Sequence, residues 1–249
     1  MKNISKINSK YYEAYPLDWD TEYFGVKSAK VILKGNVSET EQNEILNFCS
    51  KYEFVSIFNL DNNSYNNFWI GKKTKAFLTD INIQFVKQIN KKLISTDKFT
   101  NIYNSYTKNQ DVLKIAKEAF LYSRFYNDPN LLKEKAQNVY CHWTECAFNK
   151  SDKYFIIAQR NGEVAGYLLF SINLEYSFAT IELIAVRQKY KGQKVGRSLI
   201  INLENFAYEN RIKFIKVGTQ VDNISAVRFY NSCDFKYLGS RSIYHYWLN

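Results

Sequence analysis

The stretch Val186–Leu199, "VRQKYKGQKVGRSL", lies between an apolar run, "TIELIAV", and a run with helical spacing, "SLIINLENFAY". It holds Gly192 and Gly196, two of the nine glycines in the chain. A strand that enters a glycine-containing loop and leaves through a helix start makes an anion site. The first helical turn has free N–H groups, the positive end of the dipole lies there, and glycine lets a phosphate approach the backbone. Lys191, Lys194 and Arg197 add charge. The spacing is neither a Walker A loop nor G-x-G-x-x-G, which disfavours a nucleoside triphosphate or a dinucleotide. These residues alone leave two readings open, a phosphate cradle and a plain basic turn.

The rest of the chain narrows the choice. At 249 residues it can bury a core without staples, and with 46% apolar residues, 20 Tyr and 18 Phe it is globular in composition. The net charge of +10 is scattered, which fits small polyanions better than a nucleic-acid track. Four cysteines form no C-x-x-C pair. Cys141 and Cys146 in "YCHWTEC" would stand about 140° apart on a helix, so they do not converge on a metal. Free thiols, no apolar segment at the start "MKNISKINSKYYEAY" and no long apolar span lead us to expect a cytoplasmic protein without a metal.

Residues 22–33 read as a strand with Gly25 as a bend, 38–52 as a helix capped by Ser38, 54–60 as a strand, 63–74 as a helix and 80–88 as a strand. This β-α-β-α-β unit is expected to form a small N-terminal α/β domain over residues 1–105, with the polar stretch 90–111 as the join. Residues 106–249 then read α-α-β-β-β-α-β-α-β, a mixed sheet with helices on its faces. Asn161-Gly162 marks a type I′ hairpin turn between two apolar strands. No G-x-S-x-G, no H-E-x-x-H and only two histidines, His142 and His245, leave no rival catalytic device.

The order hairpin, strand, basic glycine loop with its helix, strand, helix, strand resembles the GCN5-related N-acetyltransferase (GNAT) superfamily. The loop Lys191, Gly192, Gln193, Lys194, Val195, Gly196 is similar to that family's Arg/Gln-x-x-Gly-x-Gly/Ala, with Lys191 at the usual arginine and Lys194 at the middle glycine. A second signature appears as "NISAVRFYNSCDF", where Asn223, Ala226, Phe229, Tyr230 and Phe235 match and Asp234 takes a glycine position, as a residue tolerant of left-handed backbone can. A narrower likeness, carried by "PLDWDTEYFGVKSAKV", "AFLYSRFYNDP" and "VGTQVDNISAVRFY", points to the dTDP-fucosamine acetyltransferase family.

The resemblance implies an acyl-CoA-dependent N-acyltransferase that moves an acetyl group, or a longer one such as hydroxybutanoyl, to the 3- or 4-amine of a dTDP-linked amino-dideoxy sugar for surface polysaccharide synthesis. It implies coenzyme A contacts from Ile184, Ala185 and Val186, from Lys191 to Ser198 including Gln193, Val195 and Arg197, and from Asn223. Tyr230 would give a proton to the leaving thiolate. Ser123, Arg124 and Phe125 would lie on the acceptor side, and the family's acidic residue falls at Asn82. The general base is thereby open, with Glu182 and His142 as candidates. A homodimer is expected by the same resemblance. A peptide N-terminus or an aminoglycoside-type amine on the same fold remains the alternative acceptor, and a basic nucleic-acid module the more distant one.

Overall fold

Ser38 opens the first strongly marked helix: its hydroxyl accepts from the Glu41 N–H while the Glu41 carboxylate accepts from the Ser38 N–H at 2.8 Å, a complete capping box. That helix belongs to a chain described, in a computed structural model, over residues 6–93, 99–120 and 122–248. Its elements are β1 (Ile7–Asn8), β2 (Tyr12–Pro16), α1 (Asp18–Phe24), β3 (Ser28–Leu33), α2 (Glu39–Cys49), β4 (Phe54–Leu60), α3 (Ser64–Lys73), β5 (Phe77–Gln88) and β6 (Thr100–Asn104). They continue with α4 (Gln110–Ala119), α5 (Lys133–Ala147), β7 (Tyr154–Arg160), β8 (Glu163–Asn173), β9 (Phe178–Val186), α6 (Val195–Glu209), β10 (Phe214–Gln220), α7 (Ile224–Ser232) and β11 (Lys236–Trp247). The chain is α/β with a mixed sheet, as expected.

Its contacts form two compact units that interleave along the sequence. The first takes residues 1–83, 123–136 and 239–249, and the second takes 84–122 and 137–238. A single boundary near residue 105 therefore does not describe the division. Sequence periodicity reports local elements, whereas a unit is defined by pairings such as that of β11 with β4, which join residues far apart in the chain.

In the first unit the strand order is β1-β2-β3-β4-β11-β5. β3 and β4 are parallel, with Val31 opposite Ile57, and β11 runs antiparallel to β4, with Tyr244 opposite Ile57. Alternation puts Ala29, Val31, Leu33, Val55 and Ile57 on one face, where they pack with Ile45 and Phe48 of α2 and with Trp69 and Ile70 of α3. Three local readings change here. Residues 18–24, partly read as strand, form α1, because Gly25 at φ 75° ends a helical turn and donates to Thr21. β1 and β2 were too short to register as a period. β6 lies in the stretch read as a join, where its partner β7 supplies the ladder that its polar composition did not suggest.

In the second unit the order is β5-β10-β9-β8-β7-β6. The β7–β8 hairpin turns at Asn161 (φ 51°) and Gly162 (φ 78°), the left-handed pair of a type I′ turn, with Arg160 opposite Glu163. Val112, Ile115 and Ala116 of α4 pack with Tyr167, Leu169, Leu183 and Ala185 of the sheet. Phe206 of α6 packs on Tyr154 and Phe170. The Lys87 ammonium is 2.7 Å from the Glu204 carboxylate and donates to the Cys233 carbonyl, with side chains 14% and 6% exposed. All four cysteines are free, two buried and two half-buried.

A buried pair broken on one side leaves an uncompensated charge. Lys87→Ala should cost about 3 kcal/mol in urea unfolding, and Lys87→Met with Glu204→Gln markedly less.

In the first unit, His245 is held by Asp128, whose Oδ2 lies 2.6 Å from its Nδ1 and also accepts from Trp247. Burial pushes the imidazole down to about 4 against the opposing pull of Asp128, so it is neutral and donates through Nδ1–H. The unfolded chain takes up this proton near pH 6.5 and the folded chain only near 4, so stability should fall as pH drops through that window, by on the order of 3 kcal/mol in urea midpoints converted to free energy.

Candidate active site

The site of the second unit begins at a defect in β9. Leu169 of β8 faces Leu183 while the next residue, Phe170, faces Ile181, so Glu182 is an extra residue, a bulge. On its other side β9 pairs in parallel with β10 from Phe214 opposite Phe178 to Val217 opposite Ile181, and among the described residues this ladder ends there. The two strands part at the bulge. The Arg187 N–H donates to the Ala165 carbonyl of β8 at 2.8 Å. Alternation along the strand then directs the N–H groups of Ile184 and Val186 to the opposite edge, the one β10 has left. The opening is a cleft of about 730 Å³, within the range of small-molecule sites, lined by Ile184, Ala185 and Val186 on one side and Val217 to Gln220 on the other.

The loop from Val186 is pinned through Glu163 at the hairpin. Glu163 pairs with Arg187 at 3.0 Å and with Lys189, and accepts from the Tyr190 hydroxyl at 2.6 Å. Lys189, then Tyr190, hold its carboxyl below the usual range. Glu163 escaped sequence reasoning, although its place just after the Asn161-Gly162 turn was the available signal. Beyond it Gly192 has φ 79° and Lys194 has φ 59°, and α6 begins at Val195. Ser198 makes the first helical bond, to the Lys194 carbonyl. The N–H groups of Val195, Gly196 and Arg197 have no acceptor among the described residues and point out of the helix start. Lys191, Gly192, Lys194, Val195, Gly196 and Arg197 all line the cleft.

Two of these residues have a different immediate role from the one their position suggested. A Cβ on Gly196 would stand 3.1 Å from the Phe229 ring, so this glycine lets α6 and α7 approach. The Arg197 guanidinium donates to the Ser232 carbonyl at the end of α7, which leaves its backbone amide, not its charge, for a ligand. The Gln193 side chain donates to the Lys189 carbonyl, and Ser198 lies beyond the lining. Lys191 and Lys194 form no ion pair among the described residues.

α7 is built for its place. The Asn223 side-chain oxygen accepts from the Ala226 N–H at 3.1 Å and from Ser225, capping the helix, and the residue lines the cleft. At the other end Asp234 sits at φ 62°, the Phe235 N–H donates to the Tyr230 carbonyl and the Asp234 N–H to Asn231, a Schellman closure. The expected left-handed aspartate is thus observed. Tyr230 is buried against Phe85, Phe229 and Phe235, and burial raises its hydroxyl well above the ordinary phenol range. That hydroxyl bonds to nothing among the described residues and lines the cleft. It is un-ionised at neutral pH.

Glu182 does not fit the part of a free base. Its carboxylate lies 2.5 Å from the Lys153 ammonium and accepts from the Trp143 indole at 3.1 Å, which occupies both oxygens. His142 bonds Cys146 on α5 and does not line the cleft. Ser123, Arg124, Phe125 and Asn82 belong to the first unit. There Ser123 accepts from the Phe125 N–H, Phe125 is core, and Asn82 accepts from Arg241 at 3.4 Å. Among the described residues no group of His, Cys, Asp and Glu is arranged to hold a metal, and no helix is long and apolar enough to cross a membrane.

The acetyltransferase (GNAT) family model matches residues 111–235, the stretch that holds the bulged β9, the basic loop and α7. The chain belongs to that family. Spore coat polysaccharide biosynthesis protein SpsD of Bacillus subtilis (strain 168) is 30% identical over 137 residues, 55% of this chain and 46% of that protein. The chain thus spans about half the length of this curated relative. Among solved structures, a GCN5-related N-acetyltransferase from Kribbella flavida superposes with TM-score 0.66 at 8% identity over 97% of this chain and 89% of its own. One from Sphaerobacter thermophilus gives 0.60 at 9% over 94% and 76%. At these identities the likeness is one of fold.

Lys194 carries a side chain in left-handed backbone, which costs about 1 kcal/mol relative to glycine. Lys194→Gly should raise unfolding stability by about that amount, read from urea midpoints.

Proposed function

We propose that this acetyltransferase transfers an acyl group from acetyl-CoA, or a longer acyl-CoA, to the amine of a dTDP-linked amino-dideoxy sugar used in surface polysaccharide synthesis. The observation that carries the transfer is the cleft where the β9–β10 ladder ends, with the α6 amides on its wall and the Tyr230 hydroxyl among its lining groups. The acceptor class is supported by the polysaccharide-biosynthesis name of the related spore coat protein and by the sequence likeness described above.

The fit to coenzyme A is one of donor chemistry. The amides of Val195, Gly196 and Arg197, with the unpaired ammonium groups of Lys191 and Lys194, suit a diphosphate. The Ile184 and Val186 edge offers donors to the amides of an extended arm, and one of these N–H groups faces the thioester carbonyl and stabilises the oxyanion. Holding thioester and amine together supplies proximity, about 7 to 11 kcal/mol in well-oriented systems.

Tyr230 gives its proton to the departing thiolate. A group kept neutral by burial is suited to donate and unsuited to abstract. With Glu182 engaged by Lys153 and Trp143, the amine's proton leaves through water in the cleft.

Acetyl-CoA mixed with dTDP-linked 3-amino and 4-amino sugars should release free thiol. No release with any such sugar across several acyl donors would sink the reading. Tyr230→Phe should lower kcat about a hundredfold with little change in KM for the acyl donor. Lys194→Gly should bind coenzyme A within about threefold of the parent, because the backbone amides are kept.

A further inference from the structure

The first unit's sheet packs α2 and α3 on one face and carries a mixture of apolar and cationic side chains on the other. Lys30 of β3 stands opposite Ser56, Phe58 of β4 opposite Ile32 and Ile243, and Arg241 of β11 opposite Leu60. The pleat therefore sets Lys30, Phe58 and Arg241 on one face, away from the α2–α3 core. Arg124, from the segment 123–136 of the same unit, adds a third cation. All three surround one ring. The Lys30 ammonium lies 3.9 Å from the Phe58 centroid, and the guanidinium carbons of Arg124 and Arg241 lie 5.4 Å and 5.5 Å from it.

This arrangement is under-compensated. Lys30 forms no hydrogen bond or ion pair among the described residues. The Nε atoms of Arg124 and Arg241 are buried with no acceptor. Asp20 lies near Arg124 and Lys30 but pairs with neither, and its Oδ2 is also buried and unbonded. Asp80 acts on Arg241, whose far end reaches Asn82. Burial, then Arg124 and Arg241, lower the Lys30 amine to about 8, the mark of like charges gathered in a poorly hydrated place. Stacking places the Lys30 head on Phe58, and the Arg124 head is nearer still to the Phe125 ring, at 4.1 Å, but stacking fills none of these donors.

We propose that Lys30, Arg124 and Arg241, floored by Phe58, form a diphosphate receptor that takes the linkage of a nucleoside diphosphate sugar. Two guanidinium forks and one ammonium match the oxygens and the charge of that group, and the aromatic floor keeps water from one side of the cations. The inference rests on the nucleotide-sugar reading and assigns residues to the charged part of that acceptor. Arg124 alone was legible in the sequence; Lys30 and Arg241 join it only through the sheet.

Calorimetric titration of the whole chain with dTDP, in saturating coenzyme A so that the second unit's loop is filled, tests it. Lys30→Met and Arg241→Gln should each weaken dTDP binding by about tenfold or more at low salt, with coenzyme A affinity within about twofold. Their melting temperatures without ligand should be equal to or above the parent's, because one of three mutually repelling charges is gone. A residue serving only to pack would lower them. Inorganic pyrophosphate should bind the parent and lose affinity in the same variants. No dTDP binding by the parent, or unchanged affinity in both variants, overturns the receptor. Thiol release from dTDP-amino sugars at the parent rate in both variants removes the receptor and leaves acyl transfer standing. Variant-sensitive dTDP binding without thiol release from any such sugar does the reverse.

Discussion

The second unit depends on one irregular residue. Glu182 is the extra residue of β9, and its carboxylate is tied to Lys153 and to the Trp143 indole. A bulge leaves a ladder locally unpaired and bends its strand, so it persists where side-chain bonds fix the added residue. From it follow the end of pairing at Val217 opposite Ile181, the unpaired edge at Ile184 and Val186, and the opening that Tyr230 lines. The carboxylate that looked like a base is the fastening of the cleft.

What the sequence disclosed was local. The hairpin turn at Asn161-Gly162, the cap at Ser38 and the left-handed Asp234 are each set within a few residues, by side chains that satisfy nearby amides or tolerate positive φ. The loop before α6 was legible as a loop entering a helix for the same reason, whereas its own residues left a phosphate cradle and a plain basic turn both open. What the sequence hid depends on partners elsewhere. The bulge is a matter of register among three strands, β6 borrows its ladder from β7, and Glu163 reaches Arg187 and Tyr190 only across the hairpin. Gly196 shows a subtler limit: a motif position credited to phosphate approach also serves the contact with Phe229.

Arg197 illustrates how the parts are joined. Its guanidinium meets the Ser232 carbonyl at the C-terminal end of α7, where a cation complements exposed carbonyls, while its amide belongs to the free donors that open α6. One residue thus anchors the end of the helix that carries Tyr230 and presents a donor at the loop. Lys87 reinforces the same junction by bonding Glu204 of α6 and the Cys233 carbonyl.

The interleaving of the units has a practical meaning for anyone who would take the chain apart. Strand β5 passes out of the first unit after Ile83 and β11 passes back into it after Leu238. A cut at residue 105 gives an N-terminal piece without β11, so β4 loses its antiparallel neighbour, and a C-terminal piece deprived of Lys87, so Glu204 keeps a buried charge alone. The first piece would carry a raw sheet edge, an aggregation hazard, and the second an unpaired buried ion, which destabilises it. The first unit is better isolated by permutation, linking residues 83, 123–136 and 239 in one new connection scheme, than by truncation.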